Sequence, residues 1–154
     1  RGWYGSRETE DRQDSKYSEQ DVMEVLSLVR DEFNVNDNRI YLWGHSMGGA
    51  GTYHIAAKYP GLFAGLGVAA PAPEQDLDIR ATLERIKHIP IFVLQGDEDG
   101  LVTLTRRWIK QMQNLGMQHV YAEIPGGDHS LVISQNSKHM QKFIDFFNIV
   151  RKRY

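Results

Sequence analysis

The sequence predicts an α/β fold, a mostly parallel sheet with helices on both faces. Three observations predict it. Short apolar runs bounded by turn residues recur at 40–43, 65–70, 91–94 and 120–124. Segments with apolar residues at helical spacing lie between and around them. Strands that alternate with helices close most simply as parallel strands joined by crossover helices that cover the sheet.

Each element follows in order. Residues 1–17 are polar and charged around Trp3 and Tyr4, and read as irregular. Ser18 with Asp21 three places on is a capping-box pattern. Val22, Val25, Leu26, Val29 and Phe33 then predict an amphipathic helix over 19–33. Asn34 to Asn38 is turn chemistry. Ile40-Tyr41-Leu42-Trp43 reads as a buried strand running into Gly44. A second helix spans 46–58 and stops at Pro60 and Gly61. Gly65 to Ala70 is small and apolar before Pro71, a second buried strand. Residues 71–78 form a loop, and 79–86 one or two helical turns. Ile91-Phe92-Val93-Leu94 is the third strand, ended by Gly96. Trp108, Ile109, Met112 and Leu115 mark a helix with Gly116 as its stop. Val120, Ala122 and Ile124 alternate, as a half-exposed fourth strand does, before Pro125-Gly126-Gly127. Met140, Phe143, Ile144, Phe147 and Val150 place a final helix.

Bulk composition narrows the function. A chain of 154 residues supports one domain with a real core. A hydrophobic share of 41% and a charged share of 25% are ordinary for a globular domain. A formal net charge of -2 gives no field to attract nucleic acid. Arg151-Lys152-Arg153 reads as a solvated C-terminal turn that suits the helix dipole. Without cysteine there is no disulfide, thiolate metal site or cysteine nucleophile. No apolar run approaches the roughly 20 residues that span a bilayer. No signal-peptide pattern opens the chain, which starts at Arg1 and not Met, so a missing upstream segment is expected.

In parallel sheets, sites lie beyond the carboxyl ends of the strands. The loops to search are therefore 44–48, 71–78, 95–102 and 125–130. The first holds Gly44-His45-Ser46-Met47-Gly48, a G-x-S-x-G pattern. There Ser46 would sit on a strained turn between strand and helix, its hydroxyl projecting into the site. Flanking glycines are expected because that turn leaves no room for a Cβ. The helix that starts there would aim its positive end at developing negative charge. A plain glycine-rich turn with a serine N-cap is the alternative.

The third loop holds Gln95-Gly96-Asp97-Glu98-Asp99-Gly100. A hydrolase histidine needs a carboxylate to hold its tautomer, and Asp97 and Asp99 both qualify by chemistry. Turn-forming aspartates are the bland reading. A calcium loop would need further ligands that the run lacks. The fourth loop holds Gly126-Gly127-Asp128-His129-Ser130, with His129 the natural general base. The order serine, aspartate, histidine suits a parallel α/β hydrolase sheet. His45 is expected to point away from the nucleophile and to pack or hydrogen-bond. His54 is expected inward or sideways on its helix, and His88, His119 and His139 at the surface.

The stretch Arg39-Ile40-Tyr41-Leu42-Trp43-Gly44-His45-Ser46-Met47-Gly48-Gly49-Ala50-Gly51-Thr52-Tyr53 resembles the nucleophile region of α/β hydrolases. The likeness is to esterases of the phospholipase/carboxylesterase and polyhydroxybutyrate-depolymerase-like groups. Gly2-Trp3-Tyr4 and Asp21-Val22 are similar to segments upstream of that motif. Gln95-Gly96-Asp97-Glu98-Asp99-Gly100-Leu101-Val102 resembles the acid loop, in which the catalytic aspartate stands three places after the glycine. That position is Asp99. Gly127-Asp128-His129-Ser130 resembles the histidine loop.

The resemblance implies an α/β-hydrolase fold and a serine esterase, with Ser46, Asp99 and His129 as triad and Met47 N–H as an oxyanion donor. It implies a small-molecule ester substrate and no cofactor or metal. Such esterases usually carry about eight strands, and four are visible here. The expectation is a single catalytic domain over 1–154 that lacks N-terminal strands and the loop supplying the second oxyanion donor. Self-association at the open strand edge is the alternative to a missing segment. A prolyl-oligopeptidase-type peptidase and an inactive hydrolase-like interaction module are the rival functions.

Overall fold

The computed structural model describes residues 12–73, 77–130, 133 and 137–152. Its elements are α1 (Arg12–Glu32), a 3-10 turn (Asp37–Arg39), β1 (Tyr41–His45), α2 (Met47–Lys58), β2 (Gly65–Ala69) and α3 (Ile79–Ile86). They continue with β3 (Ile91–Gly96), α4 (Val102–Asn114), β4 (His119–Ile124) and α5 (Ser137–Ile149). The strands form one sheet in the order β1-β2-β3-β4, every pair parallel.

Alternation along each strand divides the core into two layers. Leu66 and Val68 of β2 and Ile91 and Val93 of β3 face Tyr53, Ile55, Leu83, Ile86, Trp108 and Met112 from α2, α3 and α4. Val22 and Leu26 seat α1 on the same layer. Ala69, Phe92 and Leu94 face the other way, onto Phe143, Phe146 and Val150 at α5. Central strands with both faces covered are largely apolar, which explains the continuous runs at β2 and over 91–94 of β3. The Tyr53 and Trp108 rings stack at 4.2 Å and 18°, both fully buried, and so tie α2 to α4.

Several elements depart from expectation. α1 already runs at Arg12, so residues 12–17 are helical and Ser18 is inside the helix rather than at its cap. The short-range capping pattern was outweighed by continued helix. The readings on Gly2, Trp3 and Tyr4 lie outside the described residues. β1 was expected to be buried, yet it is an edge strand and Trp43 is 39% exposed. An edge strand has a neighbour on one side only, so its side chains keep a solvent face. β1 and β3 each run two residues further than the apolar runs, to His45 and Gly96. Gln95 therefore lies in a buried strand and not in the loop. His119 and His139 are half-buried rather than superficial.

The C-terminal basic turn has a specific job. Arg151 Nη1 donates to the carbonyl oxygens of Val150 at 2.7 Å and Phe147 at 3.3 Å, where the helix leaves carbonyls unpaired. Tyr41 Oη also donates to Val150 O at 2.8 Å, which fastens the end of α5 to β1. Among the described residues, no helix is long and apolar enough to cross a membrane.

Candidate active site

Ser46 occupies the single residue between the end of β1 and the start of α2. Its backbone has φ 56° and ψ -119°, a conformation that costs an L residue on the order of 1–3 kcal/mol. The fold holds it there from three sides. Ser46 N–H donates to Ala69 O at 2.9 Å, and Ser46 O accepts from Ala50 N–H at 3.1 Å and Ala72 N–H at 3.0 Å. Ala70, at the end of the neighbouring strand, also has positive φ, 42°. Strain is thus stored at two adjacent strand ends, and surrounding hydrogen bonds hold it.

Gly44 is required by close approach. A Cβ built on it would stand 2.1 Å from Gly48 O. The expectation for Gly48 does not hold, because a Cβ there meets nothing within 4 Å. Gly48 supplies the backbone wall that Gly44 must clear; it is not itself crowded. A similar near-contact binds the other two loops, since a Cβ on Gly96 would stand 2.1 Å from Gly127 O. The acid loop and the histidine loop are therefore pressed together backbone to backbone. Glu98 N–H donates to Gly127 O at 3.0 Å across the same seam.

These loops bring three side chains into line. Ser46 Oγ lies 2.8 Å from His129 Nε2, and His129 Nδ1 lies 2.8 Å from Asp99 Oδ2. Asp99 is 5% exposed. Burial pushes its carboxyl upward, but the Leu101 N–H, the His129 ring and the Gln95 amide outweigh that and hold it below its ordinary value. An ionised carboxylate only accepts, so Nδ1 must carry the hydrogen between it and His129. Nε2 is then the acceptor, and Ser46 Oγ–H donates to it. The order of protons along this line follows from the buried negative charge of Asp99.

Asp97 goes elsewhere. It is exposed, and its Oδ1 accepts from Gly126 N–H at 2.7 Å. It braces the histidine loop from outside, while Asp99 reaches the ring. Met47 is the first residue of α2, so its N–H precedes the helix's internal hydrogen bonds and is left beside Ser46.

The family model for Esterase matches residues 2–143. The chain belongs to the Esterase family. A stretch of 81 residues, 53% of this chain, is 30% identical to the bifunctional acetylxylan esterase/xylanase XynS20E of Neocallimastix patriciarum, and covers 11% of that protein. The solved structure of a thermostable esterase superposes with a TM-score of 0.71 at 26% identity, over 86% of this chain and 36% of that one. S-formylglutathione hydrolase (FrmB) of Staphylococcus aureus gives 0.70 at 18% identity, over 86% of this chain and 61% of that one, a likeness of fold. The chain spans less than two thirds of each of these relatives. Its sheet and covering helices are those of the α/β-hydrolase fold.

In this Esterase family member, three supports of the site escape a reading of motifs. His45 hydrogen-bonds as expected but toward the site and not away from it: its Nε2 donates to His129 O at 2.9 Å. Gln95 is fully buried and donates from Nε2 to Asp99 Oδ2 at 2.8 Å. Thr105 Oγ1, on α4, donates in turn to Gln95 Oε1 at 2.7 Å. One signal for Gln95 was present, an amide set at the end of an otherwise apolar strand and four places before an aspartate. Nothing local marks Thr105, which is one of several polar residues on α4.

Proposed function

We propose that this chain carries the catalytic centre of a serine esterase and hydrolyses carboxylic esters through an acyl-enzyme on Ser46. The observation that supports it is the unbroken hydrogen-bonded line from Ser46 through His129 to a buried, ionised Asp99. In this reading, His129 Nε2 takes the Ser46 hydroxyl proton as Oγ attacks the ester carbonyl. The carbonyl π pair moves to oxygen, and Met47 N–H together with the positive end of α2 stabilises that oxyanion. As the tetrahedral centre collapses, the imidazolium protonates the departing alkoxide and the alcohol leaves. Water then attacks the acyl-enzyme with the same histidine as base, which releases the acid and restores Ser46. Asp99 stays ionised and holds the ring throughout.

The substrate class in this reading is a small-molecule ester, reached without a cofactor or metal. We further propose that the catalytic domain includes strands beyond the open edge of β1, and with them the second oxyanion donor. The place of β1 at the end of the strand order, with one side of its backbone lacking a strand neighbour among the described residues, supports a partner there.

The test is hydrolysis of p-nitrophenyl acetate and labelling by a fluorophosphonate. Wild type should turn over the ester and take the label at Ser46, and Ser46→Ala should do neither. Undiminished turnover by Ser46→Ala removes Ser46 from the mechanism. A folded wild type that takes no label favours an inactive hydrolase-like module.

A further inference from the structure

The oxygen of Asp99 that receives His129 is shared. Oδ2 accepts both His129 Nδ1–H and Gln95 Nε2–H, each at 2.8 Å, while Oδ1 accepts Leu101 N–H at 2.9 Å. The carboxylate is thus gripped on both oxygens. Only one of its three donors, the ring, belongs to the line that ends at Ser46.

Gln95 has no freedom of its own. Its side chain is fully buried in β3, and all its groups are matched. Nε2 also donates to Gly96 O at 3.2 Å, and Oε1 accepts the Thr105 hydroxyl. The amide cannot be reversed at no cost. Turned over, it would aim Oε1 at a carboxylate that only accepts, leaving Asp99 Oδ2 without the amide donor. A buried network with every member satisfied is rigid, and one broken link leaves a desolvated polar group. Thr105 belongs to α4, the helix that stacks Trp108 on Tyr53 of α2. The grip on Asp99 is therefore anchored in the same layer of core that carries the helix after Ser46.

We propose that Gln95 is a positioning residue for ester hydrolysis: together with Thr105 it fixes the Asp99 carboxylate in the one orientation that aligns His129 with Ser46. The inference rests on the esterase reading above. It adds a buried amide and a hydroxyl to the functional unit, neither of which touches substrate.

Three variants test it. Gln95→Leu removes the donor and should lower kcat about tenfold or more, the scale of a lost hydrogen bond to a charged group, with KM unchanged. It should also move the acid limb of the activity profile to higher pH, because Asp99 loses one of the donors that hold its carboxyl down. Gln95→Glu should be most impaired where the new carboxylate is charged beside Asp99. It should recover as pH falls and the protonated acid regains a donor. Thr105→Val should mimic Gln95→Leu in kcat, and Thr105→Ser, which keeps the hydroxyl, should restore it. The Thr105 pair keeps the test informative where Gln95→Leu fails to fold, as judged by its circular dichroism.

Fluorophosphonate labelling of the wild type separates the two levels. An unlabelled wild type overturns the esterase reading itself. A labelled wild type alongside a folded Thr105→Val variant, with kcat and pH profile unaltered, overturns the joint action of Gln95 and Thr105 and leaves the esterase reading standing. The proposal also fails if Thr105→Ser is as impaired as Thr105→Val, since packing rather than the hydroxyl would then be at stake.

Discussion

His45 Nε2 donates to the backbone carbonyl of His129 at 2.9 Å, and the two rings lie 4.8 Å apart at 45°. The residue just before Ser46 thus holds the main chain of the residue that meets Ser46. A carbonyl only accepts, so the His45 ring carries its hydrogen on Nε2. Two ends of the sheet, β1 and the loop after β4, are pinned across β2 and β3 by this bond.

His45→Leu should therefore loosen the histidine loop without unfolding the sheet. One lost hydrogen bond of about 1 kcal/mol corresponds to a fall in turnover of roughly fivefold or more. Ester turnover set beside a thermal melt checks it: kcat should fall while the melting point stays within a few degrees. Full activity in the variant would show that the histidine loop holds itself.

The two glycines on either side of Ser46 should respond oppositely. In Gly44→Ala the new Cβ would lie 2.1 Å from Gly48 O, so the turn must open. Loss of ester turnover and a clearly lower melting point are expected. In Gly48→Ala the Cβ meets nothing within 4 Å, and alanine in a helix is favoured over glycine by roughly 0.5–1 kcal/mol. A melting point equal to or above wild type is expected for Gly48→Ala. Equal damage from both would contradict the open space beside Gly48.

Asp99→Asn should keep the fold and lose the function. An amide can turn its NH₂ toward Nδ1 and so force the hydrogen onto Nε2, where it can no longer accept from Ser46. Where a triad carboxylate is made an amide, turnover falls roughly 10⁴-fold. Steady-state kinetics with a p-nitrophenyl ester read this directly. The pH dependence has a definite sign. The folded carboxyl sits below its ordinary value of 3.8, so its stabilisation is present above that pH and fades as pH falls through the lowered value. Asp99→Asn should remove that part of the acid sensitivity.

A second buried carboxylate should dominate acid unfolding near α1. Glu19 is 8% exposed and accepts from Lys58 Nζ at 2.6 Å, Tyr59 Oη at 2.8 Å and His54 Nε2 at 3.2 Å. Burial pushes its carboxyl up, but Lys58, Tyr59 and His54 outweigh this and hold it below 4.5. Its contribution is thus complete above pH 4.5 and lost as pH falls through the lowered value. Glu19→Gln should lower the urea midpoint at pH 7 by the equivalent of about 2 kcal/mol and flatten the dependence below pH 5. Equal midpoints for variant and wild type at neutral pH would show that apolar contacts alone dock α1.

The legibility of this chain varies by element. β2 and β3 were readable because a strand buried on both faces carries a nearly unbroken apolar run, and that pattern is local. Ser46, Asp99 and His129 were readable because strand ends in a parallel sheet share one rim, and each carried a residue of the needed type. The choice of Asp99 over Asp97 rested on likeness to known esterases, since both are aspartates in one turn. β1 was misjudged as buried because its composition resembles that of β2, and only the strand order makes it an edge. The start of α1 was missed because a strong capping pattern at Ser18 competes with a helix held through Glu19 by residues 35 to 40 places away.

The sequence by itself determined the alternation of strands and helices, the strained turn at Ser46 and the rim on which its partners stand, because all of these follow from periodicity and from residue types over a few positions. Only the tertiary structure decided which aspartate oxygen meets the ring, that Gln95 and Thr105 stand behind it, and that His45 grips the histidine loop. Those contacts join residues distant along the chain, and their hydrogen-bond partners are fixed by how the layers pack.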